Sequence, residues 1–302
     1  MRQRSLFACA LLFILGSCAR AQQVPDSAFA FPIASPAYPQ GQGSVILVDQ
    51  AHYNFHALDG RYHAFGQVLG ADGYVMKPGT EPFTKAYLAP AKILVISNAL
   101  PDPGAWVLPT NSAIPKAERE AVQEWVRNGG SLFLIADHMP FGGAAASLAR
   151  MFGFNWVNGY AFRKDDAPEV FSRRVGNLTA NAITNGGNAS ERIDSITVFT
   201  GSAFLPPPEA TVITSLRSDY QILLPTRAGE FSDSTAYLEG DQFVNGAMLL
   251  YGQGRVACFG EAAMFTAQLQ GPDRRPMGMN QPEAAQDPQF LLNVIHWLDH
   301  RL

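Results

Sequence analysis

Three short stretches of this 302-residue chain carry side chains able to do acid–base or metal chemistry. Asp137 and His138 stand together directly after the apolar run 132–136. Asp49 closes the run 44–49, and His52, Asn54 and His56 follow it in a polar loop. Glu261 ends a third run, 255–261. Imidazoles set among carboxylates are general acid–base groups, and they are equally the ligand set for zinc or another divalent first-row metal. His138 therefore reads as a base or ligand, Asp137 as the group that orients a ring, and Glu261 as an acid–base group or ligand. His52 and His56 are the candidate metal ligands, and His52 is a second candidate base. Asn54, Arg61 and Asn98 add donors for a hydroxylated or anionic ligand, and Tyr53, Trp106 and Phe141 supply an apolar wall. Each residue has a plainer alternative. Asp49 can close a turn through its own backbone, His138 can be a packed ring bonded to a carbonyl, and Glu261 can cap a following helix.

These groups need a scaffold that gathers strand ends. The runs 44–49, 92–98 and 131–136 have unbroken apolar centres, as strands buried on both faces do. Between them the spacing predicts helices over 61–69 and 116–128, a short strand at 74–76, and a helix at 144–152 after a Gly-Gly turn. Later strands are expected at 195–199 and 210–216, a tight-turn pair at 247–251 and 255–261, and a closing helix over 288–301. Residues 155–194 are less regular. This rhythm predicts a flavodoxin-like, doubly wound, three-layer α/β domain over 44–302, with a mostly parallel sheet. In such a sheet the carboxyl ends of the strands form one rim, where ligands bind.

Ahead of the domain, Arg2 and Arg4, an apolar segment 6–15 and then small residues have the layout of a signal peptide over 1–21. The segment is too short for a membrane span, which needs roughly 20 apolar residues. Two cleavage readings stand side by side: a lipobox ending at Cys18, which would attach the chain to a membrane by lipid, and an A-x-A site ending at Ala21. Residues 22–43, with Pro25, Pro32, Pro36 and Pro39, read as a Pro-rich tether. Removing 1–21 takes Arg2, Arg4 and Arg20 and no acid, so the net charge moves from −4 to −7. An acidic chain without a basic run is no nucleic-acid binder. Cys258 is then the one thiol outside the export region, and its apolar neighbours make it a core residue. No phosphate loop of G-x-x-x-x-G-K type and no G-x-G-x-x-G occurs, and Ser202 lacks the glycine two residues on that a nucleophile elbow needs.

The order of motifs resembles a known superfamily. Glu124-Trp125-Val126 through Gly129-Gly130-Ser131-Leu132, then strand and Asp137-His138, resemble the class I glutamine amidotransferase-like proteins. Ala182-Ile183-Thr184-Asn185-Gly186, and Gly252-Gln253-Gly254-Arg255-Val256 running into Gly260-Glu261, are similar to its trehalose-utilisation-protein-like branch. In that superfamily a cysteine occupies the turn after the central strand, and here Ala136-Asp137-His138-Met139 stands in its place. Glutamine hydrolysis through a thiolate is therefore not expected. The resemblance and the residues together predict an exported, periplasmic or envelope protein whose rim site binds or hydrolyses a small polar, sugar-like compound. The alternative is a non-catalytic envelope module for ligand or protein recognition.

Overall fold

The computed structural model describes residues 23–165, 167 and 169–302; the expected leader and Cys18 lie outside them. In chain order the elements begin with β1 (Gln23–Pro25), β2 (Val45–Asp49), α1 (His63–Ala71), β3 (Val75–Gly79), α2 (Lys85–Leu88) and β4 (Ile93–Ser97). Next come α3 (Lys116–Arg127), β5 (Ser131–Ile135), α4 (Phe141–Ala149), β6 (Asn155–Arg163), β7 (Glu169–Ser172), α5 (Ala182–Asn185), β8 (Ser195–Val198) and β9 (Gly201–Leu205). The remainder is β10 (Thr211–Ser215), β11 (Tyr220–Leu223), β12 (Tyr237–Glu239), β13 (Val244–Tyr251), β14 (Gly254–Phe259), β15 (Ala267–Gln270), β16 (Arg275–Gly278) and α6 (Asp287–Leu298).

One large sheet of 11 strands runs β12-β11-β6-β9-β13-β14-β5-β4-β2-β3, with β10 also paired to β13. The strands β3, β2, β4, β5 and β14 are parallel to their neighbours within this group. From β13 onward the pairing is antiparallel, because the turn at Gly252-Gln253 folds β13 directly back onto β14 and the later pairs continue that way. Along β5 the side chains alternate between two cores. Phe133 and Ile135 join Phe65 of α1 and Leu291 of α6, while Leu132 and Leu134 join Val122 and Val126 of α3 and Leu148 of α4. This two-sided burial is why the parallel strands read as unbroken apolar runs.

Predicted and observed boundaries differ mostly by one to three residues. One shift of three residues is that of α4, which starts at Phe141 and so takes Gly142-Gly143 into its first turn. A Cβ on Gly142 would lie 2.9 Å from the Val157 carbonyl and one on Gly143 would lie 2.6 Å from the Asn158 side chain, so the glycines serve close packing on β6 rather than a turn. The stretch after 155, read as less regular, opens with the nine-residue β6. The Pro-rich segment is no free tether. β1 pairs antiparallel with β15, Phe29 and Phe31 pack against the core, and Tyr38 Oη donates to Asp299 at 2.5 Å. Aromatic side chains between the prolines give it the apolar area to dock.

One joint sets the position of Glu261. A Cβ on Gly260 would lie 2.4 Å from the Ser202 carbonyl, and one on Gly201 would lie 2.4 Å from the Gly260 carbonyl, so the ends of β14 and β9 meet backbone to backbone. Gly260→Ala is expected to lower stability by about 1–3 kcal/mol, the usual scale of overpacking. Urea denaturation measures it, and an unchanged midpoint would mean that the two strands part freely.

Candidate functional site

At the parallel rim, the first group to place is Asn98, directly after β4. Its φ is 48°, in the left-handed region that asparagine tolerates better than most residues. The turn aims its buried side chain across to β5. Asn98 Oδ1 accepts the Asp137 N–H at 2.8 Å, and Asn98 Nδ2 donates to Asp137 Oδ2 at 2.7 Å. The second carboxylate oxygen, Oδ1, accepts the Ala262 N–H at 2.8 Å, which ties the end of β14 to the same residue. Glu261 is fixed beside it, its two oxygens accepting the N–H groups of Ala263 and Met264 at 2.7 Å each. Burial, and then the charge of Asp137, push the Glu261 carboxyl well above the usual carboxylate range. Burial raises Asp137 as well, against the opposing effects of His138, Asn98, the Ala262 N–H and Arg61.

A cavity of about 300 Å³ opens over this pair and is lined by His56, Asp137, His138 and Glu261 together. His56 Nδ1 faces Asn98 Nδ2 at 3.2 Å, and since an amide nitrogen donates, Nδ1 is the acceptor and Nε2 carries the ring hydrogen. Burial, and then the nearby Arg61, hold His56 neutral by pushing its pKa down to about 3. His138 has the opposite tautomer. Its Nδ1 donates to the Met139 carbonyl at 2.8 Å, leaving Nε2 as the acceptor, and the ring stacks on Tyr160 with centroids 4.4 Å apart. Phe55, Trp106 and Phe141 form the apolar wall, in mutual edge or tilted contacts at 5.4–5.9 Å.

His52 and His56, the expected metal ligands, do not share a site. The His52 ring is held between two carboxylates, with Nδ1 2.9 Å from Asp49 and Nε2 3.2 Å from Glu118. Burial alone would lower its pKa, but Asp49 and Glu118 outweigh burial and raise it. With both ring nitrogens committed, His52 has no lone pair for an ion, and zinc at this pair does not fit. Among the described residues no group of three or more His, Cys, Asp or Glu is arranged to hold a metal ion. Asn54 belongs to the same network, its Nδ2 donating to Asp49 at 2.9 Å and to the Ser97 carbonyl at 3.3 Å. Arg61 stands over the Phe55 ring at 4.0 Å, and its buried Nε has no partner among the described residues.

Two contributors escaped the sequence reading. Glu118 looked like an ordinary acid in the first turn of a helix, which is what the helix dipole favours. Gln268 lies in β15, a stretch to which the sequence reading assigns no element; its Nε2 donates to Thr266 at 2.9 Å while its buried Oε1 has no partner among the described residues. A run of four residues with a polar side chain at every second position carries too little period to mark a strand.

No family model matches the chain, and no curated protein matches it either. Solved structures do. The mmIFT52 N-terminal domain is 13% identical, covers 84% of this chain and 97% of its own, and has a TM-score of 0.60. The cytoplasmic protein STM3548 from Salmonella typhimurium is 13% identical over 85% of this chain and 99% of its own, at a TM-score of 0.50. At that identity the likeness shows the fold alone. A putative thua-like protein from Bacteroides uniformis is 12% identical over 89% of this chain and 94% of its own, at a TM-score of 0.48.

The neutral His56 makes stability depend on pH. The unfolded chain takes up its proton near pH 6.5, whereas the folded chain takes it up only near 3, so this contribution is present above 6.5 and is lost as pH falls toward 3. The stability difference between the protein and its His56→Gln variant should therefore shrink by about 1.4 kcal/mol per pH unit across that window. Urea midpoints at several pH values test it, and a constant difference would mean that His56 is charged in the fold.

Proposed function

We propose that the cavity at the parallel rim is the active site of an exported hydrolase acting on a small polar, sugar-like compound. The observation that carries this reading is the convergence of two buried carboxyls and two histidines of opposite tautomer on one cavity of about 300 Å³. That volume sits at the small end of ligand sites. Burial raises both carboxyls, and two like charges in a buried site resist joint ionisation, so the Asp137–Glu261 pair is suited to hold a proton for donation. In the reaction, His138 Nε2 takes a proton from water as its oxygen attacks the substrate. The carboxyl pair gives its proton to the oxygen of the bond that breaks. His56 donates from Nε2 to a substrate oxygen, and the aromatic wall meets the apolar face of a ring.

The scaffold is read in the same way. The parallel strands β3-β2-β4-β5-β14 follow one another in the order second, first, third, fourth, fifth, and that order supports a flavodoxin-like reading of the scaffold. Helices lie over both faces, and Asp137 occupies the turn where class I glutamine amidotransferase-like proteins of the ThuA-like branch would place a nucleophile. The leader over 1–21 directs the chain to the periplasm or envelope.

A second reading keeps the cavity and drops the turnover. It is favoured by the rigidity of the carboxyls, whose four oxygens all accept hydrogen bonds from N–H groups. Hydrolysis of a panel of nitrophenyl glycosides and binding of the free sugars separate the two. His138→Gln and Glu261→Gln should each lower kcat/KM by about 100-fold or more, the scale of general acid–base catalysis. Sugar binding without turnover would select the recognition module, and neither binding nor turnover would overturn both.

A further inference from the structure

A second, larger cleft lies against the inner cavity. It measures about 1230 Å³ and shares Gln23, Phe55 and Trp106 with the smaller one, so the two are halves of a single depression with an aromatic divide. Their chemistry differs. The inner half holds the carboxyls, whereas the outer half is lined by Arg61 and Arg227 and, among the described residues, by no acidic one, in a chain whose net charge is −4.

The outer cleft has a constructed wall. Val107 bridges Arg227, Leu108 N–H donates to the Thr226 carbonyl at 2.9 Å and Ala228 N–H donates to the Trp106 carbonyl at 2.9 Å, locking the loop of Trp106 to the loop of Arg227. Tyr53 also lines the cleft; its φ is 45°, the His52 N–H donates to Asn54 Oδ1 across it at 3.0 Å, and the residue is 58% exposed. A bulky residue kept in the left-handed region with its ring in water is unfavourable for folding alone, and such residues gather at binding sites. Arg61 is poised in the same way. Its guanidinium lies over the Phe55 ring, 4.0 Å from the centroid, makes one long bond of 3.3 Å to the Phe55 carbonyl, and among the described residues has a buried Nε without a partner and no ion pair. Arg227 has an exposed partner, Glu230 at 3.2 Å, which a ligand can exchange for its own carboxylate.

We infer that the outer cleft is a subsite for an acidic saccharide, a chain of hydroxylated rings bearing carboxylates. One ring occupies the inner cavity, and the next rings cross Trp106 and Phe55 to place a carboxylate on Arg61 and Arg227. The inference rests on the inner cavity being a sugar site. It adds length and charge to the ligand: a cavity of about 300 Å³ takes one unit, and the joined outer cleft takes those that follow. Planar guanidinium groups match carboxylates in a two-pronged way that neutral hydroxyls do not, and exposed aromatic faces suit the apolar faces of pyranose rings.

Calorimetry with tetragalacturonate, a hyaluronan tetrasaccharide and neutral maltotetraose tests this. At least one acidic probe should bind about ten-fold or more tightly than maltotetraose, with an affinity that falls as salt is raised. Arg227→Gln, on the surface and neutral to the core, and Arg61→Gln should each remove most of that preference. Equal binding of maltotetraose, lost on Glu261→Gln but unchanged in the arginine variants, would overturn the acidic subsite and leave the inner sugar site standing. Preference for an acidic probe that survives both arginine substitutions would also overturn it, and binding of none of the three would sink the subsite and the sugar site together.

Discussion

The reciprocal pair between Asn98 and Asp137 is the constraint on which the rim depends. Two hydrogen bonds within 2.8 Å join the ends of β4 and β5, and the carboxylate's remaining oxygen reaches the backbone after β14. Three strand ends are thereby held by one buried side-chain pair. The same amide nitrogen of Asn98 fixes the tautomer of His56. A buried network of this kind is rigid only when each member finds its partner, and the left-handed turn at Asn98 is what brings the amide to the carboxylate. Serine or aspartate at that place would offer no amide to reproduce both bonds.

A second network anchors the loop that carries the ligand-facing rings. Asp49, His52 and Glu118 run in a line from β2 to α3, and Glu118 also accepts the Phe83 N–H at 2.6 Å. Phe55, His56 and Arg61 all hang from the loop that this line pins. The histidine that looked most like a ligand thus works as a rivet, holding a polar loop against a helix, and the chemistry falls to its neighbours.

How much of this was legible in the chain follows from how local each signal is. The apolar runs before Asp49, Asn98, Asp137 and Glu261 marked strand ends because burial on both faces leaves no polar interruption. Rim residues could be named on that basis, and Asp137, His138, Glu261 and His56 do face one cavity. Which histidines share a site could not be read, since His52 and His56 are four apart on an irregular loop and their rings turn to different partners. The antiparallel half of the sheet was harder still. Its strands run from three to nine residues, and their pairing is decided by distant segments, as β6 with β9 and β11 shows. The docking of the Pro-rich segment was hidden because prolines mark the backbone, while Phe29, Phe31 and Tyr38 decide where it rests.

The small sheet of β1, β15 and β16 has a bearing on how the molecule comes into being. It stands at the cavity's mouth, where Gln23 Nε2 donates to Met277 Sδ at 3.4 Å across 254 positions of sequence. Contacts of such separation form late, since the entropy of closing so long a loop opposes them until the rest of the chain is in place. During synthesis the parallel core has its first four strands by residue 135, while the pocket still lacks its fifth strand and its rim cover. A nascent or truncated chain thus has no enclosed site, so that ligand binding reports completion of the whole polypeptide.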